Sequence, residues 1–293
     1  MHLTITGYST ALFSTWYFVE ELGLLFDCGD GLTSSILQKS RKIEHAFITH
    51  ADRDHLTGLL QFLQLNSRPG FPFIHYPKDC GSFPAIKDFT SKFDQHTFQA
   101  QWIPIIDGTI TWIRKDMYVE AIRNNHVPCE TGIHKSLGYK VVQVKWKLKP
   151  EFVNLSGTEI KTTIEQLGKE ATHSELKTTL FAYSGDTPCE NFEHWDHSNV
   201  LIHEATFLGT PEDEKIQTHG NKHSYLEEVI KSASEIMLGS LILGHFSSRY
   251  SDEQIDSSIL VCCEKYGLNI PVYRILPGQG VKNILNTDPI YMK

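Results

Sequence analysis

Residues Phe47–Leu60 have the sequence FITHADRDHLTGLL, in which two histidines and two aspartates fall within six positions. The apolar residues before this group predict a short β-strand that ends at His50. The leucines after it recur at helical spacing, which predicts an amphipathic helix with Asp54 and His55 at its start and an apolar face formed by Leu56, Leu59, Leu60 and Leu63. A group of ionisable side chains therefore lies between a strand and a helix.

The composition is that of an ordinary soluble chain. Its 293 residues are 40% hydrophobic and 21% charged, so we expect one α/β domain over residues 1–293. No stretch reaches the roughly 18 apolar residues that span a bilayer, and the first residues do not resemble a secretion signal, which favours a cytoplasmic protein with no membrane partner. The six cysteines form no CxxC pair, which favours reduced thiols. The net charge of −8 argues against broad attraction to nucleic acid.

Polar side chains also end or follow three later apolar runs. Asp186 follows TTLFAYSG, His203 and Glu204 end NVLIHE, and His245 follows SLILG. Because loops at strand ends converge on one edge of an α/β sheet, we expect these residues to meet the group at 50–55. Imidazole nitrogens and carboxylate oxygens are common ligands of divalent ions. A single histidine is more often a surface residue, but four ionisable groups in one short run would be costly to bury unpaired, so the sequence predicts a metal site.

Seven short motifs, spread over nearly the whole chain, resemble those of one enzyme family: LLFDCGDG, THADRDHLTGL, NHVPC, YSGDT, HEATF, KHS and LGHFSSRY. The chain is similar in them to the metallo-β-lactamase superfamily and, within it, to the tRNase Z (ribonuclease Z) group of phosphodiesterases, for which His-Phe-Ser-x-Arg-Tyr is characteristic. The resemblance implies a four-layer αβ/βα sandwich with two divalent ions, zinc first among them, at one edge. It also implies a metal-dependent hydrolase of phosphodiesters such as RNA.

The resemblance also implies a role for each residue of the site. Asp186 would be shared between the two ions, and six further residues would complete their ligands: His50, Asp52 and His126 on one ion, and Asp54, His55 and His245 on the other. Asp54 would also orient the attacking water that bridges the ions. His223 would protonate the leaving 3′ oxygen, with Glu204 fixing its tautomer.

Two residues of the last motif would contact the substrate. The resemblance gives this role to Ser247 and to Arg249, whose guanidinium would bind a phosphate oxygen. An ion pair that holds the loop is an equal alternative for Arg249. The family resemblance also implies a homodimer.

One ligand departs from the family pattern, because Asp52 stands where the family has a histidine. Two divalent ions with Asp52, Asp54 and Asp186 leave a net charge of +1, whereas a histidine would leave +2. We expect a weaker Lewis acid and a metal preference that moves from zinc toward manganese or iron, since oxygen ligands suit those ions better.

The third histidine ligand has two candidates, because NNHVPCETGIHKSLGYK contains both His126 and His134. We favour His126, whose HVPC setting resembles the family. Glu130–Leu137 is then interpreted as an insertion at the mouth of the site, with His134 as a solvent-facing loop residue. His203 is expected to be structural. Surface positions are expected for His173 and His219.

The segment between the HVPC and SGDT motifs bears on the substrate. The tRNase Z group has a protruding Gly- and Pro-rich arm there, which grips tRNA. This chain has LKPEFVNLSGTEIKTTIEQLG, which predicts a short packed helix with a Ser156–Glu159 capping box, an end at Gly168, and an apolar face of Ile160, Ile164 and Leu167. The preceding lysines alternate with apolar residues, which predicts a half-buried strand with a basic outer face: Lys145, Lys147 and Lys149.

Other functions remain alternatives to tRNA processing. Without a recognisable arm, small or cyclic phosphodiesters and sulfate esters are alternative substrates. A hydrolase of carbon esters, thioesters or lactams would use the same metals. A binding protein without catalysis is the weakest hypothesis, because every expected ligand position holds a residue able to coordinate a metal.

Three further elements are predicted near the end of the chain. A helix begins just after His223 and ends at Gly239, with an apolar face of Leu226, Val229, Ile230, Ala233, Ile236 and Met237. Ser251 and Gln254 form a capping box that opens a second helix. The residues IPVYRIL predict the final strand.

Overall fold

The structure is a computed structural model that describes residues 2–93, 99–210, 213, 220 and 222–293, so that His219 lies outside the described residues. Within these ranges, seven strands form a first sheet, in the spatial order β14 (Gly280–Val281), β1 (Ile5–Thr10), β2 (Ser14–Val19), β3 (Leu24–Phe26), β4 (His45–Phe47), β5 (Phe73–Pro77) and β6 (Gln101–Ile105). Seven described strands form the second sheet, in the order β13 (Val272–Arg274), β12 (Leu241–Gly244), β11 (Leu201–Glu204), β10 (His173–Tyr183), β9 (Leu137–Leu148), β8 (Met117–Arg123) and β7 (Ile110–Arg114). Both sheets are mixed, since parallel and antiparallel pairs occur in each.

Helices cover the outer face of each sheet. The α-helices of the described residues are α1 (Leu32–Ile36), α2 (Arg53–Leu56), α3 (Leu59–Asn66), α4 (Ser82–Phe93), α5 (Gly157–Leu167), α6 (Lys169–Thr172), α7 (Leu226–Ser234) and α8 (Asp252–Tyr266). α1 to α4 pack against the first sheet, and α7 and α8 pack against the second. None of the helices in these ranges is long and apolar enough to cross a membrane.

The side-chain pattern of β2 shows why the molecule has four layers. Tyr17 and Val19 pack into the core between the two sheets, whereas Trp16 and Phe18 pack under the helices of the first sheet. Successive side chains of a strand point to opposite faces, so a strand that is apolar at every position must be covered on both sides. The predicted four-layer αβ/βα sandwich is confirmed.

The segment that contains the ionisable group differs in detail from its prediction. β4 ends at Phe47, three residues before His50, and the expected helix is divided into α2 and α3. Gly58 lies at the division, where a Cβ would be 2.1 Å from the carbonyl oxygen of Gly29, so the chain passes too close to a neighbouring loop for a larger residue. Leu60 is 47% exposed, so its place on the apolar face was wrong.

The predictions for the end of the chain are partly confirmed. The Ser251–Gln254 capping box is present at α8. α7 ends at Ser234, five residues earlier than predicted, and Met237 is 65% exposed. The apolar periodicity therefore overestimated the length of the helix. The strand β13 is present, but β14 follows it, so β13 is not the last strand.

Strands β9 and β10 extend past the strands on either side of them. Residues 144–148 pair with residues 173–177, beyond the last pairs that β8 makes with β9 and β11 makes with β10. We call residues 144–177, with α5 and α6 at the tip, the hairpin arm. It contains six lysines and five glutamates, so its charge differs in sign from the −8 of the whole chain. The sequence analysis recognised no arm here, and the structure corrects this.

The helix at the tip of the hairpin arm is only partly as predicted. α5, its Ser156–Glu159 capping box and its end at Gly168 are confirmed, as is the half-buried strand with exposed Lys145 and Lys147. The description of α5 as packed was wrong, because none of its residues is buried and Leu167 is 71% exposed. Helical spacing identifies the side chains that share a face, but it does not say whether another element covers that face.

Candidate metal centre

The carboxylate of Asp186 lies at the centre of the strand-end residues. Its Oδ2 is 3.2 Å from Nε2 of His55, 3.2 Å from Nε2 of His245 and 3.7 Å from Nε2 of His50. The side chain of Asp186 is only 4% exposed, although it carries a negative charge. Burial alone would raise the pKa of Asp186, but the surrounding histidines, His245 and His55 first, hold it well below its usual range.

Two groups of ligand atoms lie beside Asp186. In the first, Oδ2 of Asp52 is 3.6 Å from Nε2 of His50 and 3.6 Å from Nε2 of His126. In the second, Oδ2 of Asp54 is 3.5 Å from Nε2 of His55 and 3.5 Å from Nε2 of His245. The structure therefore brings together all seven residues that the resemblance gives as ligands, and His223 and Glu204 lie in two further overlapping groups beside them.

Each histidine of the two groups has its Nδ1 occupied by a partner outside the centre. Nδ1 of His50 donates to Thr49 Oγ1 at 2.9 Å, and Nδ1 of His126 donates to the carbonyl oxygen of Lys222 at 2.7 Å. The remaining two bonds join His55 Nδ1 to Asp27 Oδ2 at 2.8 Å and His245 Nδ1 to Thr206 Oγ1 at 2.9 Å. These bonds keep the Nδ1 proton on the outer side of each ring, so that a metal ion replacing the Nε2 proton would meet a lone pair that points inward.

The inward nitrogens fit a metal site. Nε2 of His50, His55 and His126 is buried without a hydrogen-bond partner, an arrangement that is unfavourable unless a cation binds there. Ligand atoms about 2.0–2.1 Å from a tetrahedral ion are about 3.3 Å apart, close to the separations of 3.2–3.7 Å found here. Together with the fold, these clusters support the binding of divalent metal.

The aspartates make the centre strongly attractive to cations. The imidazoles of His126 and His50, each 3.6 Å away, hold the pKa of the Asp52 carboxyl well below its usual range, although burial opposes them. Burial also raises the pKa of Asp54, but the charge of His55 and other histidine contacts lower it to about 2. These carboxylates are therefore ionised at neutral pH and available as metal ligands.

Sequence reasoning did not assign a role to Asp27. This fully buried carboxylate accepts hydrogen bonds from the backbone and hydroxyl of Thr49, from Tyr183 at 2.6 Å and from Nδ1 of His55. It therefore orients His55 directly and His50 through Thr49. An aspartate directly after the buried strand β3 was the available signal, since such a residue needs partners.

Glu204 and His223 form a hydrogen-bonded pair next to the metal ligands. Nδ1 of His223 donates to Glu204 Oε1 at 3.0 Å and is 3.9 Å from Asp186 Oδ2. The Glu204 carboxylate also accepts bonds from the backbone of Thr187 at 2.7 Å and the hydroxyl of Thr206 at 2.6 Å. Burial would lower the pKa of His223, but the Glu204 carboxylate raises it to about 9, so the imidazole is protonated at neutral pH.

The two residues proposed to contact substrate bind each other and the protein. Nε of Arg249 donates to Ser247 Oγ at 2.9 Å, and Nη1 lies 3.4 Å from the buried carboxylate of Asp213. The guanidinium also stacks near Phe207 and Tyr250. This geometry favours the alternative in which Arg249 holds its loop.

His134 lies apart from the metal ligands. Its backbone N–H donates to Asp79 Oδ2 at 2.7 Å, and its ring accepts from the backbone of Asp107. The side chain is half-buried, so it faces solvent only in part. The following Lys135 lines a cavity of about 300 Å³ with Asp52, so this segment does border the site.

The other histidines with predicted positions lie outside the two groups. His203 is buried, and its Nδ1 is 2.8 Å from the carbonyl oxygen of Glu204. It thus adjoins the Glu204–His223 pair from the protein interior, and burial lowers its pKa. His173 is half-buried at the start of β10, where its Nδ1 is 2.7 Å from Thr172 Oγ1.

Comparison with known proteins supplies the family. No family model matches the chain. It is 31% identical over 275 residues to the chloroplastic tRNase Z of Arabidopsis thaliana, an alignment that covers 87% of this chain and 71% of the relative. It is 32% identical over 257 residues to the ribonuclease Z of Bacillus cereus, covering 80% and 82% of the two chains. The chain belongs to the tRNase Z family.

Membership of the tRNase Z family confirms the resemblance that the motifs indicated, and with it a metal-dependent hydrolase. The fold agrees with that of the short form of human tRNase Z, which is 19% identical and superposes with a TM-score of 0.60 over 96% of this chain and 99% of the human one.

Proposed function

We propose that this chain is a dinuclear metal-dependent phosphodiesterase that removes 3′ extensions from tRNA precursors. The observation that supports it most strongly is the arrangement of His50, His55 and His126, whose Nε2 atoms are buried without a hydrogen-bond partner and face the carboxylates of Asp186 or Asp52. Relatives of the chain are named tRNase Z and ribonuclease Z, which supports RNA as the phosphodiester substrate.

The ligand sets follow from the two groups of atoms. One ion would be held by His50, Asp52 and His126, the other by Asp54, His55 and His245, and Asp186 would be shared. Zinc suits the imidazole nitrogens, and the three carboxylates also admit manganese or iron. When bound, the ions supply a nucleophilic water at neutral pH and neutralise charge on the phosphate.

The protein residues complete the reaction. Asp54, whose Oδ2 accepts from the backbone of Leu12 at 3.0 Å, orients the attacking water. His223 donates its proton to the departing 3′ oxygen, and Glu204 holds the ring so that Nε2 is the donor. Arg249 steadies the loop that contains Ser247. The products are an RNA with a 3′ hydroxyl and a trailer with a 5′ phosphate.

Hydrolysis of several substrates by one preparation tests this proposal. Protein loaded in turn with zinc, manganese or iron is incubated with a 3′-extended tRNA, bis-p-nitrophenyl phosphate, a thioester and a lactam. We expect cleavage of the tRNA and of the small diester only. Cleavage of the diester without the tRNA would show that the natural substrate is another phosphodiester. Cleavage of the thioester or lactam alone would contradict the proposal that the chain is a phosphodiesterase.

The hairpin arm supports a tRNA substrate, because it projects beyond the sheet and has exposed lysines on β9. Replacing residues 149–172 with Asn-Gly would join the two arm strands by a tight turn. We expect KM for the 3′-extended tRNA to rise about tenfold or more, since phosphate contacts are lost, while hydrolysis of bis-p-nitrophenyl phosphate stays within about twofold. Equal loss on both substrates, or on neither, would contradict a role of the arm in binding tRNA.

Asp52 is proposed to tune the choice of metal. In Asp52→His, the loss of one carboxylate should favour zinc over manganese, because nitrogen replaces a hard oxygen ligand. The protein is equilibrated with equal concentrations of the two ions, and bound metal is measured by elemental analysis. We expect the zinc-to-manganese ratio to rise several-fold relative to the unmodified chain and to the control Asp288→His, which changes an exposed aspartate. An unchanged ratio, or only zinc in the fully active unmodified protein, would refute the metal preference.

Three further properties are part of the proposal. The chain forms one domain over residues 1–293, acts in the cytoplasm and assembles as a homodimer, the last by family resemblance. Limited proteolysis, localisation in cells and sedimentation of the purified protein test these properties separately.

A further inference from the structure

The turn between β1 and β2 exposes two large apolar side chains next to the metal centre. Leu12 is 88% exposed and Phe13 is 63% exposed, whereas the preceding Ala11 is buried. An exposed phenylalanine and leucine side by side gain little from folding, since their apolar surface stays in water. Their position therefore needs a reason other than stability.

The turn is fixed to the centre by its backbone. The N–H of Leu12 donates to Oδ2 of Asp54 at 3.0 Å, and that oxygen is itself 3.5 Å from the Nε2 atoms of His55 and His245. Leu12 has a φ of +69°, a left-handed conformation that bulky residues rarely adopt and that this bond helps to hold. The side chains at the tip are thus held beside the second group of ligands.

Close packing behind the turn limits its movement. A Cβ on Gly29 would lie 2.4 Å from the carbonyl oxygen of Asp54 and 2.6 Å from the backbone nitrogen of Thr15, so the loop with Asp54 and the start of β2 are in direct contact through Gly29. The N–H of Ala11 also donates to the carbonyl oxygen of Phe246, the residue after His245. The turn therefore keeps its place relative to any group bound at Asp54.

We propose that Leu12 and Phe13 form a stacking surface for the base of a nucleotide that flanks the scissile phosphate. This inference rests on the proposed function. Every phosphodiester bond of RNA has a base on each side, and aromatic side chains stack on the faces of bases without regard to sequence. The cavity on the Asp52 side has a mixed lining, with Asp79 and Lys135 next to Cys80 and Val127, whereas the turn on the Asp54 side exposes only apolar side chains at Leu12 and Phe13.

Abasic substitution tests the contact. A 3′-extended tRNA is prepared in three forms: unmodified, with an abasic nucleotide before the cleaved bond, and with one after it. The unmodified chain, Phe13→Ala and Phe13→Trp are compared, with Val261→Ala as a matched control because Val261 is 63% exposed on the outer helix α8. We expect Phe13→Ala to raise KM for the unmodified RNA about tenfold, while Phe13→Trp and the control stay within about twofold.

The abasic RNAs decide whether the lost contact is with a base. On one of them, Phe13→Ala should raise KM no more than about twofold, because the base that stacks on Phe13 is already absent. An equal rise in KM on all three RNAs, or no rise on any, would overturn the stacking surface while the unmodified chain still cleaves RNA. No cleavage of RNA by the unmodified chain would overturn the proposed function itself, and the stacking surface with it.

Discussion

Asp186→Asn is expected to remove nearly all activity, with kcat/KM lower by about 10³–10⁴ on both the small diester and the tRNA. Oδ2 of Asp186 is within 3.7 Å of three histidine nitrogens that belong to both groups of ligands. An amide in its place keeps the size but removes the charge that balances two divalent ions. A loss of about 4–5 kcal/mol in transition-state stabilisation corresponds to this change in rate.

Metal content distinguishes this explanation from general damage. Elemental analysis should give fewer than two ions per chain for Asp186→Asn, and unchanged content for Asp288→Asn, which alters an exposed aspartate. Circular dichroism should show the same secondary structure for both. Two bound ions together with more than a tenth of the normal kcat/KM would show that Asp186 is not the shared ligand.

His223→Ala is expected to lower kcat by about 10²–10⁴ without loss of metal. Nδ1 of His223 donates to Glu204 Oε1 at 3.0 Å, and on the proposed mechanism its removal takes away a proton donor rather than a ligand. Glu204→Gln should have a smaller effect of the same kind, because it leaves the imidazole in place but weakens its orientation.

His134→Ala is the matched control for this prediction. Its ring contacts the backbone of Asp107 and lies outside the metal groups of the described residues, so kcat and metal content should stay within about twofold. Loss of one ion in His223→Ala would make His223 a ligand instead of a proton donor. Loss of metal in His134→Ala alone would overturn the choice of His126.

Most residues of the candidate centre could be predicted from local patterns in the sequence, whereas His126 came only from the family resemblance. Four ionisable groups at positions 50–55 lie between an apolar run and a helical one, and such a run is costly to bury unless it binds a cation. Asp186 and His245 each follow an apolar strand closely. The sequence anticipated that strand-end loops converge, but these loops leave two different sheets: residues 50–55 follow β4 of the first sheet, and Asp186 and His245 follow β10 and β12 of the second.

The partners that orient the ligands could not be predicted in the same way. Asp27 accepts a hydrogen bond from Nδ1 of His55, and Thr206 accepts one from Nδ1 of His245. Each pair is far apart in the sequence and meets only in the folded chain. The bond between Leu12 and Asp54 is of the same kind, since a backbone N–H leaves no trace in the sequence. The exposure of α5 could not be predicted either, because the spacing of its apolar residues does not show whether another element covers them.

The most direct test of the account is to map the cut that the metal-loaded chain makes in a tRNA with a 3′ extension. The account predicts one cut near the end of the acceptor stem, which leaves a 3′ hydroxyl on the tRNA and a 5′ phosphate on the trailer. An intact tRNA, in a sample that holds two ions per chain and hydrolyses bis-p-nitrophenyl phosphate, would contradict tRNA processing.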